Sequence, residues 1–135
     1  MRVLIAEDDF VTRKSLERLM QQYGECDEAT TGKEAVDCFR MAWEEKKPYD
    51  LILLDIMMPD LDGQDALQQI RDYERSRGIV GFGETKVIMV SALDDPRNVV
   101  RAFYSGGASS YLVKPIREQK LYEELEKLGF NLKSI

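Results

Sequence analysis

Histidine is absent from these 135 residues, and its absence removes several kinds of chemistry at once. No Ser-His-Asp or Cys-His catalytic pair can be built, and no zinc site with imidazole ligands. Nothing in the chain changes charge through an imidazole near neutral pH. Cysteine is nearly as scarce. Cys26 and Cys38 form no Cys-x-x-Cys pair and read as reduced thiols, neither a disulfide framework nor a metal clamp. No apolar run approaches the ~18 residues of a membrane-spanning helix. The N-terminus turns acidic at Glu7-Asp8-Asp9, too early for a signal peptide. Positive charge is in deficit: 19 Lys plus Arg against 25 Asp plus Glu leave a net charge of −6, which disfavours binding to a phosphate backbone. A base, nucleophile or metal ligand must come from carboxylates, hydroxyls, amines or the two thiols. The expectation is a soluble, cytoplasmic chain that neither enters a membrane nor itself binds nucleic acid.

What remains is ordinary material for one domain, with 44% hydrophobic and 33% charged residues and enough length for one core. Four short apolar runs stand out, Val3–Ala6, Leu51–Leu54, Val87–Val90 and Tyr111–Val113. Each is nearly continuous, as expected of parallel strands covered on both faces. A more polar run around Cys26–Thr30 suits a strand at the sheet edge. Between the runs, apolar residues recur at helical spacing. The stripes are Val11, Leu16, Leu19, Met20 and Tyr23; Ala35, Val36, Phe39 and Trp43; Ala66, Leu67, Ile70 and Tyr73; Val99, Val100, Phe103 and Tyr104; and Leu121, Leu125 and Leu128. Thr31-Gly32, Pro59 to Gly63, Asp94-Asp95-Pro96 and Gly106-Gly107 punctuate them, and Arg75 to Glu84 reads as an extended loop. Regular alternation of strand and helix implies an α/β doubly wound fold with right-handed crossovers. The expected form is a flavodoxin-like five-stranded parallel sheet of order 2-1-3-4-5, with helices on both faces.

In such a sheet, ligands bind outside the carboxyl ends of the strands. Those ends carry Glu7-Asp8-Asp9, Asp55, Ser91 and Lys114-Pro115. Singly, each has a plain structural explanation, with Asp9 a helix cap, Ser91 a turn residue and Lys114 a surface charge. Together, several carboxylates at one edge repel each other, and a divalent cation is the usual remedy. Oxygen ligands beside a site open to phosphate suit Mg²⁺.

The landmarks Val3-Leu4-Ile5-Ala6-Glu7-Asp8-Asp9, Leu53-Leu54-Asp55-Ile56-Met57-Met58-Pro59, Asp62-Gly63, Ser91-Ala92 and Lys114-Pro115 occur in strand order. From residue 2 to about 129 the sequence resembles the receiver domain of two-component response regulators, of the chemotaxis-regulator type. The resemblance implies a receiver domain over residues 1–130 with a short tail over 131–135. It implies that Asp55 accepts a phosphoryl group, with Lys114 and Ser91 completing the catalytic set. Glu7, Asp8, Asp55 and the backbone carbonyl of Met57 would hold Mg²⁺. It also implies a cis Lys114–Pro115 bond, and a switch in which Ser91 moves toward the phosphate and Tyr111 turns into the vacated space. The expected readout surface is the fourth helix, fifth strand and fifth helix, including Tyr111, Arg101 and Lys120.

A partner histidine kinase or histidine phosphotransfer protein would supply the phosphoryl group. A downstream effector protein, or an output domain missing from this chain, would read the result, and a dimer formed on phosphorylation is compatible with that scheme. The chain would act as a switch that assists its own phosphotransfer, not as an enzyme turning over an external substrate. The rival reading is a pseudo-receiver, a constitutive protein-interaction module of the same fold. Met57 and Leu93, two residues after Asp55 and Ser91, are apolar and cannot orient a hydrolytic water, so slow self-dephosphorylation is expected. Other signals fail on their own terms. Gly32-Lys33-Glu34 lacks the hydroxyl of a phosphate loop, the Asp60–Gly63 stretch lacks calcium-loop end ligands, and Gly81-Phe82-Gly83 precedes a strand. Asp55-Ile56-Met57 lacks the second acid of a dehalogenase-type phosphatase.

Overall fold

The apolar runs become the inner strands of one sheet. A computed structural model describes residues 1–92, 96–105 and 107–130. Its strands are β1 (Arg2–Ala6), β2 (Glu25–Ala29), β3 (Leu51–Asp55), β4 (Lys86–Ser91) and β5 (Ser110–Val113). All pair in parallel in the order β2-β1-β3-β4-β5. The expected order and the edge position of the Cys26 run are both found. β3 is buried at every residue, whereas β2 alternates in exposure, as a half-covered edge should.

The helices are α1 (Phe10–Gln21), α2 (Gly32–Glu44), α3 (Gly63–Ser76), α4 (Pro96–Val100) and α5 (Glu118–Lys127). The first three begin at side-chain caps. Asp9 accepts from the Thr12 N–H, Thr31 from Glu34 and Asp62 from Asp65, each at 2.9–3.0 Å. Alternate strand residues feed two cores. Leu4, Ile52, Leu54, Val87 and Met89 pack with α2 and α3, while Val3, Ile5, Leu51, Leu53 and Ile88 pack with α1 and α5. Both cysteines are free and half-buried; burial pushes Cys26 up to about 11 and Cys38 upward too. No helix among the described residues is long and apolar enough to cross a membrane.

Three expectations need correction. Val11 is not part of the inward face of α1: it is 75% exposed, and the face runs instead through Arg13, Leu16 and Met20. α4 does not continue as a regular helix to the glycines. It gives way at Arg101–Ser105 to a π turn, which rotates the face so that Ala102 is buried while Val100 and Phe103 are exposed. The stretch from Arg75 is partly helical, because α3 runs through Ser76 and Gly81–Gly83 forms a 3₁₀ turn. Leu93, Asp94, Asp95, Gly106 and the 131–135 tail, each given a role by the sequence, lie outside the described residues.

Polar bonds tie α4 and the turn after it to α3, beside the apolar packing of Ala102. Gln64 Nε2 donates to the Asn98 carbonyl at 3.0 Å, Arg101 pairs with Asp65 at 2.9 Å, and Arg71 donates to the Gly107 carbonyl just beyond the π turn.

Candidate functional site

Parallel register brings the polar strand ends level. Ala6 pairs with Leu54, so Glu7 stands beside Asp55 one step further along. Asp55 lies opposite Val90 and Ser91 opposite Val113, which places Ser91 and Lys114 along the same rim. The Lys114 N–H closes this corner by donating to the Ser91 carbonyl at 2.8 Å, and the Lys114–Pro115 bond is cis.

Glu7 and Asp55 are 1% and 3% exposed, yet Asp8 is open to solvent. Carboxylate oxygens from these residues all lie within 4.8 Å of one another. Lys114 Nζ reaches in from β5, 2.5 Å from Glu7 Oε1 and 3.4 Å from Asp55 Oδ2. Glu7 Oε2 accepts from the Asp9 N–H at 3.1 Å, and Asp55 Oδ1 accepts from the Met57 N–H at 3.3 Å. Burial pushes the Glu7 carboxyl above its ordinary range and Asp55 adds to this, against the opposing pull of Lys114 and the Asp9 N–H. Burial draws Lys114 down, but Glu7 and Asp55 outweigh it and leave the ammonium above the usual lysine value.

Three carboxylates thus face one ammonium, and the donors are hard oxygens with a solvent-open side at Asp8. That set fits a small divalent cation better than a soft metal, which would want thiolate or imidazole. A groove bounded by Asp8, Met57, Pro59, Asp62 and Arg101 opens beside the cluster. Ser91 is fully buried, Met57 is 62% exposed, and Tyr111 is half-buried against the α2–α3 core. Lys120 and Arg101 are exposed ion-pair members, with Glu124 and Asp65.

Arg13 escaped the sequence reading, and Gly63, there only a landmark before the third helix, gains a physical reason. Arg13 projects from α1 onto the Glu7 and Asp8 carbonyls. Gly63 begins α3 where a Cβ would collide with the Asp55 carbonyl, and its own N–H donates to the Ile56 carbonyl at 2.8 Å. Only a residue without a side chain lets α3 start this close to the end of β3. Gly63→Ala is expected to destabilise the chain by about 1–3 kcal/mol, read as a lower urea midpoint at unchanged slope.

Residues 3–126 match the family model described as "Response regulator receiver domain". The chemotaxis protein CheY of Thermotoga maritima is 32% identical over 130 residues, covering 95% of this chain and 97% of that protein. The sensory/regulatory protein RpfC of Xanthomonas campestris is 33% identical over 135 residues; the match takes in 100% of this chain but only 17% of that protein's length. Among solved structures, CheY in the CheX-CheY-BeF3-Mg complex of Borrelia burgdorferi superposes with a TM-score of 0.82 at 28% identity, over 97% of this chain and 90% of that one. The Ssk1 receiver domain, crystallised with the histidine phosphotransfer protein Ypd1 of Saccharomyces cerevisiae, gives 0.81 at 26% identity, over 96% and 88%.

Proposed function

The chain belongs to the response regulator receiver domain family, and from that membership we propose that it is a phosphorylation-dependent signalling switch with Asp55 as phosphoacceptor. The observation that carries the reading is the convergence of Glu7, Asp8 and Asp55 with Lys114 at one sheet edge.

In this reading an Asp55 oxygen attacks the phosphorus of a phosphohistidine on a partner kinase or phosphotransfer protein. The N–P bond breaks, the imidazole leaves with a proton, and Asp55 becomes an acyl phosphate. Glu7, Asp8, Asp55 and the Met57 carbonyl would hold Mg²⁺, which when bound would neutralise the transferred phosphoryl oxygens. Lys114 already lies 3.4 Å from Asp55, and exchanges that contact for a phosphoryl oxygen. The Ser91 hydroxyl donates to a second. Catalysis is then placement of charge, with no covalent role for any other side chain. The Borrelia complex carries BeF3 together with Mg²⁺, and beryllofluoride is a chemical mimic of a phosphoryl group, which supports the reading of this cluster.

The added charge of about −1.5 to −2 is read out when Ser91 moves and Tyr111 turns inward, altering the α4–β5–α5 face. The exposed Val100 and Val113 lie on α4 and β5, and the exposed Phe103 on the π turn between them. An effector protein, or an output domain of a longer chain, reads that face, alone or through a dimer. Free thiols at Cys26 and Cys38 suit the reducing cytoplasm.

The test is incubation with Mg²⁺ and a small acyl phosphate, followed by intact mass. One added phosphoryl group, absent in Asp55→Asn, is expected. No adduct, or an adduct that persists in Asp55→Asn, favours the pseudo-receiver. The exposed thioether of Met57 cannot hold a water for attack, so the adduct should be long-lived. Met57→Asn combined with Leu93→Glu is expected to shorten its lifetime about 10²-fold, followed as decay of the phosphorylated mass.

A further inference from the structure

We infer that Arg13 is a positioning residue that fixes the Glu7–Asp8 backbone for cation binding; the inference rests on the cation site proposed above. Arg13 occupies an inward position of α1, in line with the buried Leu16 and Met20, and its side chain is only 11% exposed. Its Nη1 donates to the Glu7 carbonyl at 2.9 Å and reaches the Asp8 carbonyl at 3.5 Å. The Phe10 ring lies 5.5 Å from the guanidinium carbon. Behind it, Glu28 on the edge strand stands 3.7 Å from Nε, beyond hydrogen-bond range, and is itself held by Lys14 at 2.8 Å.

The two carbonyls belong to the peptide planes on either side of Asp8. Holding them orients the Asp8 Cβ, and this matters because the Asp8 side chain is exposed while Glu7 and Asp55 are set by burial. The Glu7 N–H is tied from the other side, to the Ala29 carbonyl at 3.0 Å. A guanidinium so near a cation site would oppose the cation by charge alone. Glu28 answers that charge, so Arg13 contributes direction with little repulsion. Groups that orient ligands in this way typically change metal affinity by roughly 10–100-fold when removed.

The full chain is titrated with MgCl₂ by calorimetry, alongside the Mg²⁺ dependence of phosphoryl uptake from an acyl phosphate. Arg13→Ala is expected to weaken Mg²⁺ binding by roughly tenfold, with the uptake rate at saturating Mg²⁺ unchanged. Arg13→Lys keeps a donor but not the fork, and should fall between Arg13→Ala and the parent. Glu28→Gln, which removes the carboxylate paired with the guanidinium and leaves it the interaction with Asp9, should weaken binding more mildly. A purely structural Arg13 would lower the melting temperature yet leave the Mg²⁺ affinity of the folded protein alone, and that result overturns the inference. Should Arg13→Ala not fold, parent-like affinity in both Arg13→Lys and Glu28→Gln overturns it equally. A parent that binds Mg²⁺ with this Arg13 dependence but takes up no phosphoryl group refutes the switch and leaves the inference standing. A parent that binds no Mg²⁺ overturns both.

Discussion

Lys114→Ala is expected to slow phosphoryl uptake by about 10²–10³-fold while tightening Mg²⁺ binding. The opposite signs follow from one geometry. The ammonium lies 2.5 Å from Glu7 and 3.4 Å from Asp55, so it occupies the carboxylate oxygens a cation would use and repels that cation. Removing it frees those oxygens for metal, yet strips the transferring phosphoryl group of the side-chain cation that pairs directly with Asp55. It also leaves Glu7 and Asp55 buried and unanswered, which drives the Glu7 carboxyl further above its ordinary range. Calorimetry repeated across a range of pH separates the metal effect from protonation of Glu7, whose carboxyl burial already pushes upward. Uptake at the parent rate, or weaker Mg²⁺ binding, would contradict the role given to Lys114.

The largest stability effect is expected away from this site. Glu74 is fully buried and Arg71 is 4% exposed; they meet at 2.7 Å. Glu74 also accepts from the Thr85 N–H at 2.8 Å, while Arg71 donates to the carbonyls of Thr85 and Gly107. Glu74→Ala leaves a guanidinium in the interior, answered only by the half-exposed Glu84 at 3.8 Å, and an unpaired amide. The expected loss is about 3–5 kcal/mol in urea unfolding, a large part of the 5–15 kcal/mol typical of a domain. Replacing Arg71 by Met in the same chain removes the stranded charge and should recover much of the loss. A single variant within about 0.5 kcal/mol of the parent would make the pair a bystander.

The sheet was legible because buried parallel strands have no polar face to hide. Leu51–Leu54 and Val87–Val90 could be little else, and the polar β2 could only be an edge. The carboxylates, Ser91 and Lys114 were legible because each directly follows such a run. Arg13 was not, since an apolar criterion selects Val11 and passes over a cation on the inward face. The useful signal was a charged residue at the position of an apolar one, three and seven residues before Leu16 and Met20. α4 misled for a related reason. Val99, Val100 and Phe103 fit one regular helical period, whereas the π turn changes the spacing and buries Ala102. Arg71 and Glu74 were unreadable in principle: burying an ion pair depends on carbonyls from Thr85 and Gly107, distant in sequence.

The polar attachment of α4 to α3 has a calorimetric consequence. Heat capacity responds mainly to apolar surface exchanged with water, and among the described side chains of α4 and the π turn after it Ala102 is fully covered but Val100 and Phe103 are already exposed. The segment is also tied to α3 by a hydrogen bond from the Gln64 amide to the Asn98 carbonyl, by the exposed Arg101–Asp65 pair and, just beyond the turn, by the Arg71 fork on Gly107. A displacement of α4 would therefore be nearly silent in heat capacity. The exposed pair is screened by ions within about 10 Å at 0.1 M salt, so the same displacement should register in its dependence on ionic strength.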